Sequence, residues 1–364
     1  MRILVVPDKF KGTLSAGEAA ASIAEGLERA LPGAAIDVYP AADGGEGTID
    51  ALASMAGAEI QTITIEGPDG TEDVARVLSV GDYRIVEASE GTRSIEGGDP
   101  LGTDSFGLGQ AIVTAARTGG EILVAIGGTG STDGGTGMAR ALGWRFVDSS
   151  GTELPRGGGS LGDLHAIVAP DDELAVSVTG LRDVDSPLHG PRGAARMFGP
   201  QKGATRNEVA VLERGLEVLA EVILRDLGIE VSDEPGAGAG GGLGAGLVAF
   251  LGAQLEPGFE RVAELTSMDT AIGTADLVIT GEGSFDAGSL GGKVPVGVAR
   301  IAAAAGTRCA LIAGRIAVTA EELTAAGFET AISVEDVVGS EAAVTQPDRS
   351  LVEATVELIR RGGY

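Results

Sequence analysis

The chain is short of cysteine, histidine and long apolar runs, and each shortage removes a class of explanation. Its one cysteine, Cys309, excludes an internal disulfide, and with only two histidines there is no zinc-binding pattern and no convincing Ser-His-Asp or Cys-His set. Cys309 lies in "CALIAG", which reads as a buried strand, and His165 and His189 read as structural or surface residues. No apolar run approaches the roughly 18 to 20 residues of a membrane span. The opening "RILVVP" reaches Pro7 and Asp8 too soon for a secretory signal, so a cytoplasmic protein is expected. Acidic residues outnumber basic ones, 53 to 26, for a net charge of -27. That charge repels nucleic acid and acidic membranes, and neither is expected as a partner; an anionic substrate then needs a local positive site. The lysines are only Lys9, Lys11, Lys202 and Lys293, each beside glycine-bearing, loop-like sequence.

What the chain has in excess is glycine, 60 of 364 residues, about twice the ~7% norm. The composition is otherwise that of a folding protein, 43% hydrophobic, and the length suits two domains. "RILVVP" reads as a buried strand. Ser15 and Glu18 form a capping-box pattern for a following helix that ends at Pro32-Gly33. "IDVYP" and "GTIDALASMAG" continue as strand and helix. The rhythm then changes, because "EIQTITIEG", "EDVARVLSV" and "YRIVEAS" read as strands around a Pro68–Gly70 turn. A mixed block follows, with a long helix over 207–227, and from about Asp276 the strand–helix alternation returns. The expected fold is α/β: a Rossmann-like doubly wound domain formed by both chain ends, 1–58 and 268–364, with a second mixed α/β domain, 59–267, inserted.

Most glycine-rich segments come directly after a predicted strand: "PDKFKGTLS", "PAADGGEGT", "GGTGSTDGGTG", "LRDVDSPLHGPRG" and "GEGSFDAGSLGGK". Carboxyl edges of strands are where such sheets bind ligands, and a cleft between domains is the expected pocket. Backbone N–H groups freed by glycine, with a following helix N-terminus, suit a phosphate. Nucleotide phosphates are therefore expected on the 127–137 loop, at Gly127, Gly128, Ser131, Thr132, Asp133, Gly134 and Gly135, with Lys293 as a further clamp. Neither this loop nor "PGAGAGGGLGAG" matches a P-loop. The nearby carboxylates suit magnesium, which takes one or two of them plus phosphate oxygens. Asp183 or Asp185 would hold Mg2+ or accept a proton, with Asp43 and Glu46 as further metal or base candidates. The pattern as a whole points to phosphoryl transfer.

In their order, "PDKFKGTLSA", "ADGGEGT", "GGTGSTDGGTGMARALG", "DVDSPLHGPRGAARMFGPQKGA", "PGAGAGGGLGAG" and "ADLVITGEGSFDAGSLGGKVPVGVA" resemble the bacterial glycerate kinase family of type I, which includes glycerate 2-kinases. The resemblance spans nearly the whole chain and implies phosphorylation of D-glycerate by ATP with Mg2+, the 2-phosphate favoured over the 3-phosphate. Lys11, with Arg192, would pair with the glycerate carboxylate, and Asp8, Glu46, Glu282 and Asp286 complete the expected substrate set. Lys11, Asp43, Asp183, Asp185 and Lys293 are the expected catalytic residues. Family members commonly carry Ala-Thr-Asn-Asp where this chain has Gly130-Ser131-Thr132-Asp133, arginine at Ser284 and serine at Lys9; Asp133, Asp286 and Lys293 keep their places. A kinase for another small hydroxy acid or sugar, and a non-catalytic nucleotide-binding metabolite sensor, are the alternative readings. A homo-oligomer is left open.

Overall fold

A computed structural model describes residues 1–93, 97–172, 174–291 and 293–364. The chain forms two units, Met1–Ala42 with Phe259–Tyr364, and Asp43–Gly258. Both borders lie earlier in the chain than the positions expected from sequence, for identifiable reasons. The short helix Thr48–Leu52 is tied to the second unit by a carboxylate of that unit, Glu87, which accepts from the amides of Gly47 and Ile49. Helix Gly258–Thr266 buries Phe259 and Ala263 against Leu4, Val6 and Val278 of the first unit.

The first unit's sheet contains β1 (Arg2–Pro7), β2 (Ala35–Val38), β11 (Leu277–Phe285), β12 (Arg308–Ile316) and β13 (Thr330–Ser333), all parallel, in the order β13-β12-β11-β1-β2. Because side chains alternate along a strand, Ile3 and Val5 pack on one face with helices Ala16–Ala30 and Pro347–Gly362, while Leu4 and Val6 pack on the other with helix Val294–Ala305. This is the doubly wound arrangement, and its strand order reverses between β1 and β11. The Ser15–Glu18 capping box forms as its spacing predicts. Cys309 is buried in β12, where loss of solvent pushes its thiol up to about 12, so it packs as a small hydrophobe.

The second unit's strands are β3 (Glu59–Glu66), β4 (Glu72–Val80), β5 (Tyr83–Glu87), β6 (Glu121–Ala125), β7 (Arg145–Val147), β8 (Ala166–Val168), β9 (Val178–Arg182) and β10 (Gln254–Pro257). Its main sheet runs β10-β9-β6-β5-β4-β3, and β7 pairs with β8 separately. The β3–β4–β5 meander is antiparallel, as its alternating sequence predicts, whereas β5, β6, β9 and β10 pair in parallel. The 206–227 helix opens with a second capping box, Thr205 and Glu208. Among the described residues no helix is long and apolar enough to cross a membrane.

"PGAGAGGGLGAG", which the sequence shows only not to be a P-loop, takes a definite form. It is the buried start of a helix, Ala239–Leu251, entered through three successive left-handed glycines, Gly240, Gly241 and Gly242. A Cβ on Gly241 would sit 2.1 Å from the Ser131 carbonyl oxygen, so this segment is glycine because two backbones touch there. Gly241→Ala combines a strained φ of +75° with that clash. It is expected to destabilise the protein by about 2–4 kcal/mol in urea denaturation, whereas the same change at exposed Gly17, which has open space around it, is expected to cost well under 1 kcal/mol.

Candidate active site

Strands β5, β6 and β9 are adjacent and parallel, so their carboxyl ends lie side by side in the second unit. The segments leaving them, together with the 43–47 loop, converge. Gly127, two residues beyond β6, donates its amide to the Gly44 carbonyl at 3.2 Å. A Cβ there would stand 2.8 Å from the Gly45 Cα and 3.0 Å from an Asp183 carboxylate oxygen, and only a bare backbone fits between them. At exposed Gly128 the same construction finds Ser89 and Glu46 within 3.4 Å. Asp43 turns back to accept from the Gly45 amide at 3.2 Å. Of the residues expected from sequence, this edge thus gathers Asp43, Glu46, Gly127, Gly128 and Asp183.

Beyond Gly128 the loop goes inward. Thr129 to Gly137 are buried, Asp133 completely. The Asp133 carboxylate accepts from the Ser105 amide (3.0 Å), the Ser105 hydroxyl (2.8 Å), the Gly135 amide (3.2 Å) and the Gly137 amide (2.9 Å). The Ser105 hydroxyl in turn accepts from the Met138 amide. The start of helix Thr136–Ala141 therefore has its free N–H groups supplied by protein side chains, and the Gly134 amide goes to the Gly241 carbonyl. Burial, and secondarily the charge of Asp104, pushes the Asp133 carboxyl up. Ser131, Thr132, Asp133, Gly134 and Gly135, expected to face a phosphate, form instead the buried frame behind Gly127 and Gly128. Sequence spacing shows that a loop follows β6 but not which way its side chains turn.

Other expected residues divide similarly. Asp185 is exposed and ion-paired with Arg182, while Asp183 next to Gly127 is exposed. Arg192 is exposed in the loop before helix Ala194–Phe198. Two residues gain roles that the sequence reading did not assign. Glu87, the last residue of β5, is buried and holds the 43–47 loop through the Gly47 and Ile49 amides, and burial pushes its carboxyl up. An acid ending an apolar strand, as in "YRIVE", was the available signal. Lys202, singled out only by the scarcity of lysine, donates to the Ser131 carbonyl at 2.6 Å and to the Thr129 hydroxyl at 3.1 Å. Burial brings its ammonium down to about 8, against the opposing pull of Asp133 and Asp183.

In the first unit, the strand-order reversal between β1 and β11 is where such a sheet offers a crevice. Asp8 follows β1 directly, buried, with its amide on the Gly281 carbonyl and its carboxylate accepting from the Lys9 amide at 2.7 Å. Glu282 lies on β11, also buried. Lys11 is exposed on the turn closed by Phe10 and Leu14, and lines a cavity of about 120 Å3 with Thr13, Gly283, Gly314 and Glu335. Asp286 accepts from the Gly288 amide at 2.8 Å and so shapes its own turn. Lys293 is the N-cap of helix Val294–Ala305, whose first turn has no side-chain cap and no acid. Its ammonium therefore accompanies a helix end that favours anions.

Among the described residues no three His, Cys, Asp or Glu side chains are grouped to hold a metal ion. A magnesium ion that shares phosphate oxygens needs only one or two carboxylates, and the exposed Asp183 carboxylate beside a bare backbone is of that chemistry.

Comparison with known proteins agrees across the chain. Residues 3–362 match the model of the glycerate kinase family. A glycerate kinase of Halalkalibacterium halodurans is 38% identical over 97% of this chain and 96% of its own, and the glycerate 2-kinase of Escherichia coli K12 is 41% identical over 83% and 82%. A solved structure from Salmonella typhimurium LT2, provisionally assigned as a glycerate kinase 2, superposes with a TM-score of 0.80 at 35% identity, covering 100% of this chain and 99% of that one.

The frame behind Gly127 depends on Asp133. Asp133→Ala strips buried donors at Ser105, Gly135 and Gly137 of their acceptor, at about 1–3 kcal/mol each before relaxation. A loss of more than about 3 kcal/mol in denaturant unfolding is expected; a loss below about 1 kcal/mol would show that the carboxylate does not hold the loop.

Proposed function

The chain belongs to the glycerate kinase family, and from that premise we propose that it transfers the γ-phosphoryl group of ATP to D-glycerate, at the 2-hydroxyl rather than the 3-hydroxyl. Within the second unit, the observation that carries the reading is the meeting of Gly127 and Gly128 with Asp183, Asp43 and Glu46 at the carboxyl edge of β5, β6 and β9. A bare, partly exposed backbone next to an exposed carboxylate is what phosphoryl transfer asks of a protein: close approach to phosphate oxygens, and an acid within reach.

The roles follow from chemistry and exposure. The amide of exposed Gly128 takes a phosphate oxygen, and Gly127, whose own amide is held by the Gly44 carbonyl, gives the bare backbone that allows the close approach. Asp183 is the candidate for holding Mg2+ or for accepting the proton of the attacking hydroxyl; the metal, when bound, screens the charge of the phosphates. Asp43 and Glu46 are the further acids at that edge. Lys11, an exposed ammonium after β1, pairs with the glycerate carboxylate, and exposed Arg192 is a second candidate for it. Lys293, at an uncapped helix start, binds a phosphate. Asp133 supports these contacts rather than making one, and Asp185 has its charge satisfied by Arg182.

ADP is expected to form only when ATP, Mg2+ and D-glycerate are all present, and a phosphorus NMR spectrum of the product identifies the esterified carbon. Lys11→Ala and Asp183→Ala are each expected to lower turnover by about 100-fold or more with little change in melting temperature, in line with losses at positioned acids and bases. ADP release that does not need the hydroxy acid overturns the reading, and near-normal turnover in either variant removes that residue from it.

A further inference from the structure

We propose that Lys202 is a positioning residue for the nucleotide: it fixes the loop leaving β6 and supplies the positive charge that lets the Gly127–Gly128 edge accept a chain of phosphates. This rests on the kinase reading above and names a residue to which that reading gives no role.

Lys202 closes the 3-10 turn Pro200–Lys202, which ends at left-handed Gly203. From there its side chain reaches the loop that frames the edge and bonds two acceptors, the Ser131 carbonyl and the Thr129 hydroxyl. Room for the ammonium exists because Gly241 lacks a side chain; a Cβ there would lie 2.9 Å from the Lys202 Nζ. Two neutral acceptors do not need a cation. An amide donor would satisfy both without the cost of desolvating a charge, so the hydrogen bonds alone leave the lysine unexplained.

The charges facing it explain it better. Asp133, on the loop, and Asp183, from the exit of β9, are the anionic groups that act on its ammonium. Every charged side chain gathered at the edge, Asp43, Glu46 and Asp183, is acidic, and the Ser89 side chain beside Gly128 is neutral. A polyphosphate brought to such a place is repelled unless a fixed cation sits behind the backbone it touches, and repulsion in a partly dry site is several times stronger than in water. Lys202 is the only lysine between residues 43 and 258. It stands behind Thr129 and Ser131, one and three residues beyond Gly128, and a cation tied by hydrogen bonds acts there without having to reorganise.

The test compares Lys202→Gln, which keeps a donor without the charge, with Lys202→Arg, which keeps the charge, using steady-state kinetics, titration calorimetry with ADP and Mg2+, and melting temperatures. Lys202→Gln is expected to raise the KM for ATP and the Kd for ADP about tenfold or more while the KM for glycerate stays within about twofold. Lys202→Arg is expected to recover most of the nucleotide affinity. A Gln variant that binds nucleotide like the wild type overturns the proposal, as does an Arg variant that folds and binds no better than Gln. If the Gln variant does not fold, the Arg variant decides alone: affinity within about threefold of wild type is expected, and a tenfold loss overturns the proposal. The wild type separates the two claims, because absence of glycerate-dependent ADP release from it refutes the kinase reading, while ADP binding still reports on Lys202.

Discussion

A single buried carboxylate organises the loop that leaves β6 in the second unit. Asp133 accepts from the Ser105 hydroxyl and amide and from the Gly135 and Gly137 amides, and these bonds let a run of glycines keep one shape without side chains of its own. Glycine is the costliest residue to order, so such a loop needs fixed anchors. The left-handed segment at Gly240–Gly242 is another anchor, pressed against Ser131 and Gly134. What remains exposed, Gly128, stands on a backbone that is buried and bonded.

The same economy governs charge. At a net charge of -27 the molecule repels phosphates at long range, and attraction has to come from a few cations at short range. In the proposed reading three of the four lysines meet that need in different ways. Lys11 is exposed after β1, Lys293 opens a helix, and Lys202 is drawn in behind the glycine loop. Arginine forms most of the surface ion pairs, such as Arg308 with Glu329 and Arg360 with Glu357, which add little stability each.

Period and capping signals made much of the fold legible. The alternation of β3 and β4, the two chain ends sharing one parallel sheet, and the box at Ser15 and Glu18 all follow from local sequence. Glycine-rich segments after strands marked the carboxyl edges where Gly127, Asp183 and Lys11 lie. The rest depends on partners far away in the chain. Asp133 reads as an exposed loop acid until Ser105, 28 residues earlier, is known to face it. Glu87 reads as a strand end until its bond to Ile49, 38 residues away, is seen. The role of "PGAGAGGGLGAG" stays unread because its cause, contact with another backbone, leaves no mark on its own composition. No local rule carries such information.

The central claim is that the loop after β6 is prebuilt and that only its exposed glycine, Gly128, responds to nucleotide. Amide hydrogen exchange with and without ATP and Mg2+ tests it most directly. The account predicts that the Gly135 and Gly137 amides, already held by Asp133, are protected in the free protein and unchanged on binding, while protection at Gly128 rises. Fast exchange at Gly135 and Gly137 in the free protein, slowed only when nucleotide binds, would contradict it.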